Sequence, residues 1–181
     1  MLFKKKFKFL RRIVSEDGIE PDPEKVQSVT KWPHRQTSTE VRAFAAYYRK
    51  HIRSFAEIVR PLYDLTKKNV HFHWGSQQEG AFQALKTAVA NAPVLALPTN
   101  GGGYVLDKDA NNHSMGCVLQ QWQNGELTVI AYASRAFSNT ELLCCTSRKE
   151  LAAVMYGLCY YRHYLLGFPL CCGQTMQHSH I

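Results

Sequence analysis

The chain has 181 residues, 45% of them hydrophobic and 20% charged, a composition that is typical of globular proteins and excludes collagenous, fibrous and disordered chains. Its length predicts one domain or two small ones, which excludes a large multidomain enzyme. The 22 Lys and Arg residues exceed the 14 acids, and this net charge of +8 makes a polyanion such as nucleic acid the first partner to test.

The six cysteines form no metal-binding or disulfide pattern. They include two adjacent pairs, and none has the CxxC spacing of half a zinc site, so we expect structural thiols. The basic stretch MLFKKKFKFLRR is not followed by the apolar segment of a secretory signal, and no run approaches the roughly 18 apolar residues of a membrane span. We therefore expect an intracellular protein, cytoplasmic or nuclear, with no membrane partner.

The N-terminal region is predicted to contain one strand and then helices. From Phe3 to Val14 the residues alternate, which places Phe7 and Phe9 on one side of a half-buried strand and lysines on the other. Acceptor residues followed by Pro or by a capping-box Glu mark three helix starts. The predicted helices run from Asp22 to about Trp32, from Thr37 through a basic stretch to Arg60, and from Ser76, boxed with Glu79, to about Asn91.

A linker divides the chain. Pro98 and three consecutive glycines cannot hold a helix or a sheet ladder cheaply, so we place a domain boundary at 98–103, between a unit at 1–97 and another at 104–181. After it we predict three short strands in a meander and a long helix. The strands are Tyr104–Asp107, Gly116–Gln121 and Leu127–Ser134, and the helix, Ser147–Leu166, carries the stripe Leu151, Val154, Leu158, Tyr161 and Leu165. The fold class is α+β or α/β with a mixed sheet.

Two carboxylates beyond the linker are candidate metal ligands. Asp109 follows the first predicted strand, where side chains emerge at the rim of a sheet, and Glu150 lies in the first turn of the long helix, where the dipole favours an anion. Phosphodiester hydrolysis by two Mg²⁺ ions needs such acids on rigid elements that are distant in sequence. The alternative is structural, with Asp109 in a turn and Glu150 as the capping-box partner of Ser147.

The chain resembles the pol polyprotein of gypsy-type LTR retrotransposons over nearly its whole length. The matching segments, in the order of that family, are FKFLRRIVSEDGIEPDPEKV, WPHRQTSTEVRAF, YYRKHIRSFAEIVRPLYDLTKK, FHWG, APVLALP, VLDKDANNHSMGCVLQQ, VIAYASRAFSNTE and RKELAAVMYGLCYYRHYLLG. The resemblance implies the end of a reverse-transcriptase palm with thumb and connection up to about residue 97, and an RNase H-like domain after it. The family copies RNA into DNA and hydrolyses the RNA of RNA–DNA hybrids.

The resemblance also implies roles for single residues. Asp109 stands at the aspartate of the family's TDAS motif and Glu150 at its xxEL glutamate, so both would be catalytic and would bind Mg²⁺ or Mn²⁺. The partner would be an RNA–DNA hybrid or a primer–template, and other pol-derived chains are further candidate partners.

Departures from the family weaken the enzymatic expectation. No Tyr-x-Asp-Asp polymerase motif occurs in this chain, and the family helix VRxFLGLxxYYR is three residues shorter here. Asn111 replaces the usual Ser. After Gly167 the family strand with the third metal-binding aspartate is replaced by a tail that resembles its frameshifted version. We therefore expect an incomplete metal site and no RNase H activity in the isolated chain.

Three functions remain open at this stage. The chain is an RNase H-type endonuclease, a non-catalytic basic module that binds nucleic acid, or a translated relic with no role. If the chain is a nucleic-acid-binding module, a basic strand and a basic helix contact the phosphates, and the affinity falls steeply as the salt concentration rises. The residues concerned are Lys4, Lys5, Lys6, Lys8, Arg11 and Arg12 on the strand, and Arg42, Arg49, Lys50 and Arg53 on the helix.

Overall fold

Three short antiparallel strands begin the part of the chain that the computed structural model describes, namely residues 6–9, 12–30, 48–67 and 70–174. They are β1 (Lys6–Phe9), β2 (Arg12–Ser15) and β3 (Gly18–Pro21), in the order β1-β2-β3. The prediction of one strand from Phe3 to Val14 is therefore wrong. Phe9 pairs with Arg12, so the chain reverses between them, and alternation alone does not report such a reversal.

The apolar side of β1 is less buried than the alternation indicates. Phe7 is 48% exposed and Phe9 is 58% exposed. β1 is an edge strand of this sheet and has a strand neighbour on one side only among the described residues. The expected half-buried strand is thus an exposed one, with its lysines and its aromatic rings all accessible.

Three helices precede the linker in the described residues. They are α1 (Pro23–Thr30), α2 (Phe55–Asp64) and α3 (Ser76–Ala90). The Asp22 cap of α1 is confirmed, because its Oδ1 accepts a hydrogen bond from the Glu24 amide at 3.2 Å. The cap of α3 is Gly75 and not Ser76, since the Gln78 side chain accepts from the Gly75 amide. Its apolar residues Phe82, Leu85 and Val89 pack against Val59 and Leu62 of α2.

The expected basic helix to Arg60 is interrupted. Its first part lies outside the described residues, but the chain turns between Arg49 and Ser54, where Ser54 has a left-handed backbone with φ of 51°. Helix α2 begins only after that turn. A left-handed residue cannot continue a right-handed helix, so the cations of this region lie on a loop and on a separate helix.

The second sheet has the order β6-β5-β4-β7. Its strands are β4 (Tyr104–Ala110), β5 (Ser114–Gln123), β6 (Glu126–Ala136) and β7 (Leu170–Gln174). The predicted meander of three strands is confirmed, and each strand is longer than predicted. The turn at Asn124 and Gly125 has the two positive φ angles of a tight hairpin. β7, which the three-strand prediction omits, pairs in parallel with β4 and makes the sheet mixed.

Two helices follow β6: the short α4 (Asn139–Leu142) and the long α5 (Thr146–Leu165). Ser138 and Glu141 form a capping box at the start of α4. The predicted stripe of α5 is partly wrong, because Leu151 is 62% exposed and the buried face consists of Ala153, Gly157 and Tyr161. Small residues on this face allow α5 to approach β4 and β5 closely, which a count of large apolar residues does not detect.

The segments before and after the linker pack together. Helix α2 lies against the face of the second sheet opposite α5, and the Ser134 hydroxyl of β6 accepts a hydrogen bond from the Ala56 amide at 2.9 Å. The Tyr132 amide donates to the Lys50 carbonyl at 3.1 Å. The expected α+β class is thus observed, with the segment at 48–64 held on the sheet.

Candidate nucleic-acid interface

The two predicted catalytic acids contact different partners. Asp109, near the end of β4, is exposed, and its Oδ2 accepts a hydrogen bond from the Ser54 hydroxyl at 3.4 Å. Glu150, in the first turns of α5, forms an ion pair with Lys108 at 2.9 Å. Because neighbouring residues of a strand point to opposite faces, Asp109 points toward the α2 face and Lys108 toward the α5 face. The sheet therefore separates the immediate surroundings of the two acids.

These surroundings do not fit a pair of divalent ions. Within the described ranges, no group of three or more His, Cys, Asp and Glu side chains is arranged to hold a metal. The Lys108 ammonium, which is mostly buried, already neutralises Glu150. Two Mg²⁺ ions need several carboxylates at one point, whereas here one carboxylate is paired with a cation and the other with a hydroxyl.

A second polar contact lies beside Asp109. The Asn111 amide nitrogen donates to Glu57 of α2 at 2.8 Å, while its oxygen accepts from the amides of His113 and Ser114. Asn111 thus closes the turn between β4 and β5 and at the same time ties α2 to that turn. This gives a structural account of Asn at the position where the resembling family has Ser.

The lysines of β1 are paired with acids of their own region. Lys6 forms an ion pair with Glu20, and Lys8 contacts Asp22 at 2.6 Å and Glu24 at 2.9 Å. The hydrogen bond to Asp22 raises the pKa of Lys8. Arg12 is half-buried on β2. Lys4, Lys5, Arg11 and Arg42 lie outside the described residues, so their assignment to phosphate binding stays a prediction.

The cations on the turn before α2 differ from the β1 lysines in how the fold holds them. Arg49, Lys50 and Arg53, which we call the basic loop, are all exposed, while His51 and Ile52 between them are buried. The buried pair and the bond from the Tyr132 amide to the Lys50 carbonyl fix the backbone of this loop on the sheet. The basic loop therefore presents three cations within five residues from a rigid support.

His51 is an uncharged part of that support. Burial lowers its pKa to about 4, and the positive charges of Arg12 and Lys50 act in the same direction. The imidazole is therefore neutral at neutral pH, and the loop's outward charge comes from its Arg and Lys residues alone.

A cleft adjoins the basic loop, and the sequence pattern does not reveal it. It has a volume of about 590 Å³ and lies between α2, the end of β6 and α4. Its cationic side chains are Arg49, Arg60, Lys67 and Arg135. Arg60 lies on α2 and Lys67 lies in the turn after that helix, whereas Arg135 is brought to the cleft only by the fold.

Two cations of the cleft are held by acids. Arg135 donates to both carboxylate oxygens of Glu141, at 2.8 and 2.7 Å, and this contact lowers the pKa of Glu141 to about 2. Lys67 pairs with Asp64 at 2.7 Å. Arg60 is exposed and has no ion-pair partner among the described residues. The cleft therefore keeps a positive excess.

The comparisons with known proteins agree on one family. The family described as the RNase H-like domain found in reverse transcriptase matches residues 74–171. The Pol polyprotein of the Drosophila melanogaster transposon 297 is 37% identical over 168 residues, which cover 91% of this chain and 16% of that protein. The Pol polyprotein of transposon gypsy from the same fly is 32% identical over 180 residues, with 91% and 17% covered. The chain spans about one sixth of the length of these curated relatives.

Solved structures have the same fold. A foamy viral protease–reverse transcriptase (dRH) in complex with double-stranded DNA superposes with a TM-score of 0.81 at 23% identity, covering 97% of this chain and 32% of that one. The foamy viral protease–reverse transcriptase with an RNA/DNA hybrid gives 0.80 at 23% identity, over 96% and 25%. Among the helices of the described ranges, none has the length and apolar character to cross a membrane.

Proposed function

This chain belongs to the family of RNase H-like domains found in reverse transcriptase, within retrotransposon Pol polyproteins, and from that premise we propose that it is a non-catalytic module that holds an RNA–DNA hybrid or a DNA duplex by its phosphates. The observation that carries the proposal is the basic loop, with three exposed cations on a backbone that is fixed to the sheet. The complexes of the foamy viral enzymes with double-stranded DNA and with an RNA/DNA hybrid support the choice of ligand.

The energetic argument concerns which cations are available. Phosphate binding releases condensed counterions, so each Lys or Arg that reaches a phosphate adds affinity at low salt. Lys6 and Lys8 already face Glu20, Asp22 and Glu24, and a phosphate must compete with these acids. Lys50 and Arg53 make no ion pair with any described residue, so a phosphate can approach them without displacing an acid.

The test compares two pairs of charge-removing substitutions. Lys50→Gln with Arg53→Gln, and Lys6→Gln with Lys8→Gln, remove the same charge from the full chain. Binding of a fluorescent RNA–DNA hybrid is measured by anisotropy at low salt. We expect the first pair to weaken binding by about tenfold or more and the second by much less. Equal losses in both pairs would show that net charge, and not the basic loop, determines binding.

Hybrid hydrolysis is the second candidate function. The exposed position of Asp109 near the end of a central strand favours it, since a catalytic carboxylate needs access to substrate. The pairing of Glu150 with Lys108 disfavours it, because the second proposed metal ligand is engaged by a cation. We therefore rank non-catalytic nucleic-acid binding above hydrolysis of the hybrid.

A further inference from the structure

The cleft beside the basic loop combines charge with apolar walls. The lining includes Phe55 of α2 and Phe137 after β6, but these side chains are only 3% and 7% exposed. The half-buried Tyr63 lies beside Phe55, with the two ring centroids 6.5 Å apart in an edge-on arrangement. Leu142 of α4 lies on another side. Its volume of about 590 Å³ is within the range of about 300–1,000 Å³ that small-molecule sites occupy.

The charges at this cleft select an anionic ligand. Four cationic side chains face one lining carboxylate, Asp64, and Glu141 outside the lining offsets Arg135. Arg49 is in hydrogen-bonding contact with Tyr156, which leaves part of its guanidinium for other acceptors. Arg60 is exposed and without an ion-pair partner in the described residues. A planar guanidinium with free donors suits a phosphate, which it can bind through two parallel hydrogen bonds.

We propose that this cleft binds a single unpaired nucleotide, with the base against Tyr63 and Leu142 and the phosphate on Arg60. A ligand with one flat apolar part and one anionic part matches both features of the cleft, and a nucleotide unit has these two parts covalently joined. The inference rests on the proposed function for the identity of its ligand, because an unpaired nucleotide is supplied by the overhang or frayed end of a held duplex.

The closest competing occupant is an acidic peptide. Carboxylates would satisfy Arg60 equally well, but a chain of acids leaves the apolar surfaces of Tyr63 and Leu142 unused. A base can stack on an aromatic side chain, so a nucleotide gains from both features of the cleft while a string of acidic residues gains from one.

The experiment uses the full chain and adenosine 5′-monophosphate, with binding measured by calorimetry or by chemical-shift titration. Arg60→Gln removes the phosphate contact, and Asn139→Trp places a bulky ring at the exposed cleft-lining position on α4. Arg148→Gln, at an exposed position on α5 outside the cleft lining, is the charge-matched control. We expect Arg60→Gln to weaken nucleotide binding by about fivefold or more, Asn139→Trp to abolish it, and Arg148→Gln to leave it unchanged.

Two competitors decide between the chemical sources of binding. Ribose 5-phosphate carries the phosphate without the base, and we expect it to bind more weakly than the nucleotide. Equal binding of the two, tighter binding of a hexaglutamate peptide, or nucleotide binding that both cleft variants leave intact would each overturn the inference.

The failure of this inference can be told apart from a failure of the proposed function. A blunt hybrid offers no stable unpaired nucleotide, and its binding depends on Lys50 and Arg53 in the proposal above. If Asn139→Trp abolishes nucleotide binding and leaves blunt-hybrid binding unchanged, both proposals stand. Suppose that the native chain binds no nucleotide, and that hybrid binding is lost only in the Lys50 and Arg53 variants. This result would contradict the nucleotide site in the cleft and support the proposed nucleic-acid-binding module.

Discussion

His51 is a neutral base buried directly beneath three exposed cations. Its side chain is 2% exposed, and its Nδ1 has no hydrogen-bond partner among the described residues. Burial, together with Arg12 and Lys50, lowers its pKa from 6.5 to about 4. Protonating it would place a positive charge without a partner next to other positive charges. The basic loop is therefore supported by a residue that tolerates only one charge state.

This residue predicts a pH dependence of folding. With a folded pKa of about 4 and an ordinary value of 6.5 when unfolded, the stabilisation is fully present above about pH 6.5 and is lost as the pH falls toward 4. We expect the free energy of unfolding to fall by up to about 3 kcal/mol across that window because the unfolded chain takes up the proton.

Urea unfolding at several pH values checks this expectation. His51→Gln should remove the fall, since the variant has no imidazole to protonate, while His71→Gln at an exposed position should keep it. A fall that persists unchanged in His51→Gln would show that other groups cause it.

Gly157 controls how closely α5 approaches the sheet. A Cβ at this position would lie 2.9 Å from Leu106 Cδ2 and 3.2 Å from Cys117 Sγ, so Gly157→Ala should destabilise the fold by about 1–3 kcal/mol through overpacking. Gly80→Ala on α3 is the control, because nothing lies within 4 Å of its Cβ and Ala is the better helix former. Chemical denaturation of the two variants should give shifts of opposite sign, and equal shifts would contradict the packing argument.

Asp109 predicts the outcome of a cleavage assay. With Glu150 paired to Lys108, Asp109 is left to bind metal with too few acids, so we expect no cleavage of a labelled RNA–DNA hybrid above background in Mg²⁺ or Mn²⁺. Asp109→Asn should leave hybrid binding unchanged. Metal-dependent cleavage that disappears in Asp109→Asn or Glu150→Gln would reverse our ranking of the two functions.

At the scale of elements, the sequence predicts features that depend on neighbouring residues, such as helix caps, better than it predicts close packing between distant elements. The cap at Asp22 was found because it depends on a few neighbouring residues. The buried face of α5 was missed because Gly157 matters through Leu106 on another element. The interruption of the predicted basic helix was missed because it depends on a turn between Arg49 and Ser54, where Ser54 has a left-handed backbone.

The linker at 98–103 is held in place by one buried side chain. Gln121 of β5 is fully buried, its Oε1 accepts from the Thr99 amide at 2.9 Å, and its Nε2 donates to the carbonyls of Thr99 and Gly101. Pro98 and the glycines predicted a boundary, but composition does not predict this clamp. A Gly-rich segment is thus held in one path.

Gln121→Leu should free the Gly-rich linker from the sheet. The variant leaves the Thr99 amide without its acceptor, so we expect this amide to exchange much faster and the unfolding free energy to fall by about 1–3 kcal/mol. The Leu95 amide, which donates to the Ile19 carbonyl at 2.9 Å, is the internal reference and should keep its protection. Unchanged exchange at Thr99 would mean that Gln121 does not hold the linker.

At the scale of the whole molecule, the family and the fold class were accessible from the sequence because several motifs occur in order along it. The placement of α2 on the second sheet was not, since it depends on contacts such as that between Ala56 and Ser134, which are far apart in the chain. The candidate site divides in the same way. Asp109 and Lys50 were named from sequence, whereas the cleft required residues from α2, β6 and α4.

The exposed face of α5 also belongs to this scale. Leu151 and Met155 are more than half exposed. Contact with another Pol-derived segment on this face stays a prediction.

The central claim, that the basic loop holds nucleic acid by its phosphates, is tested most directly by the salt dependence of hybrid binding. The logarithm of the affinity is measured against the logarithm of salt concentration for the native chain, for Lys50→Gln with Arg53→Gln, and for Lys6→Gln with Lys8→Gln. The logarithm of the affinity falls with the logarithm of salt concentration. We predict that the first pair makes this slope shallower by about two, near one for each lost phosphate contact, and that the second pair makes it shallower by less. A slope that the basic-loop pair leaves unchanged while the β1 pair lowers it would contradict the account.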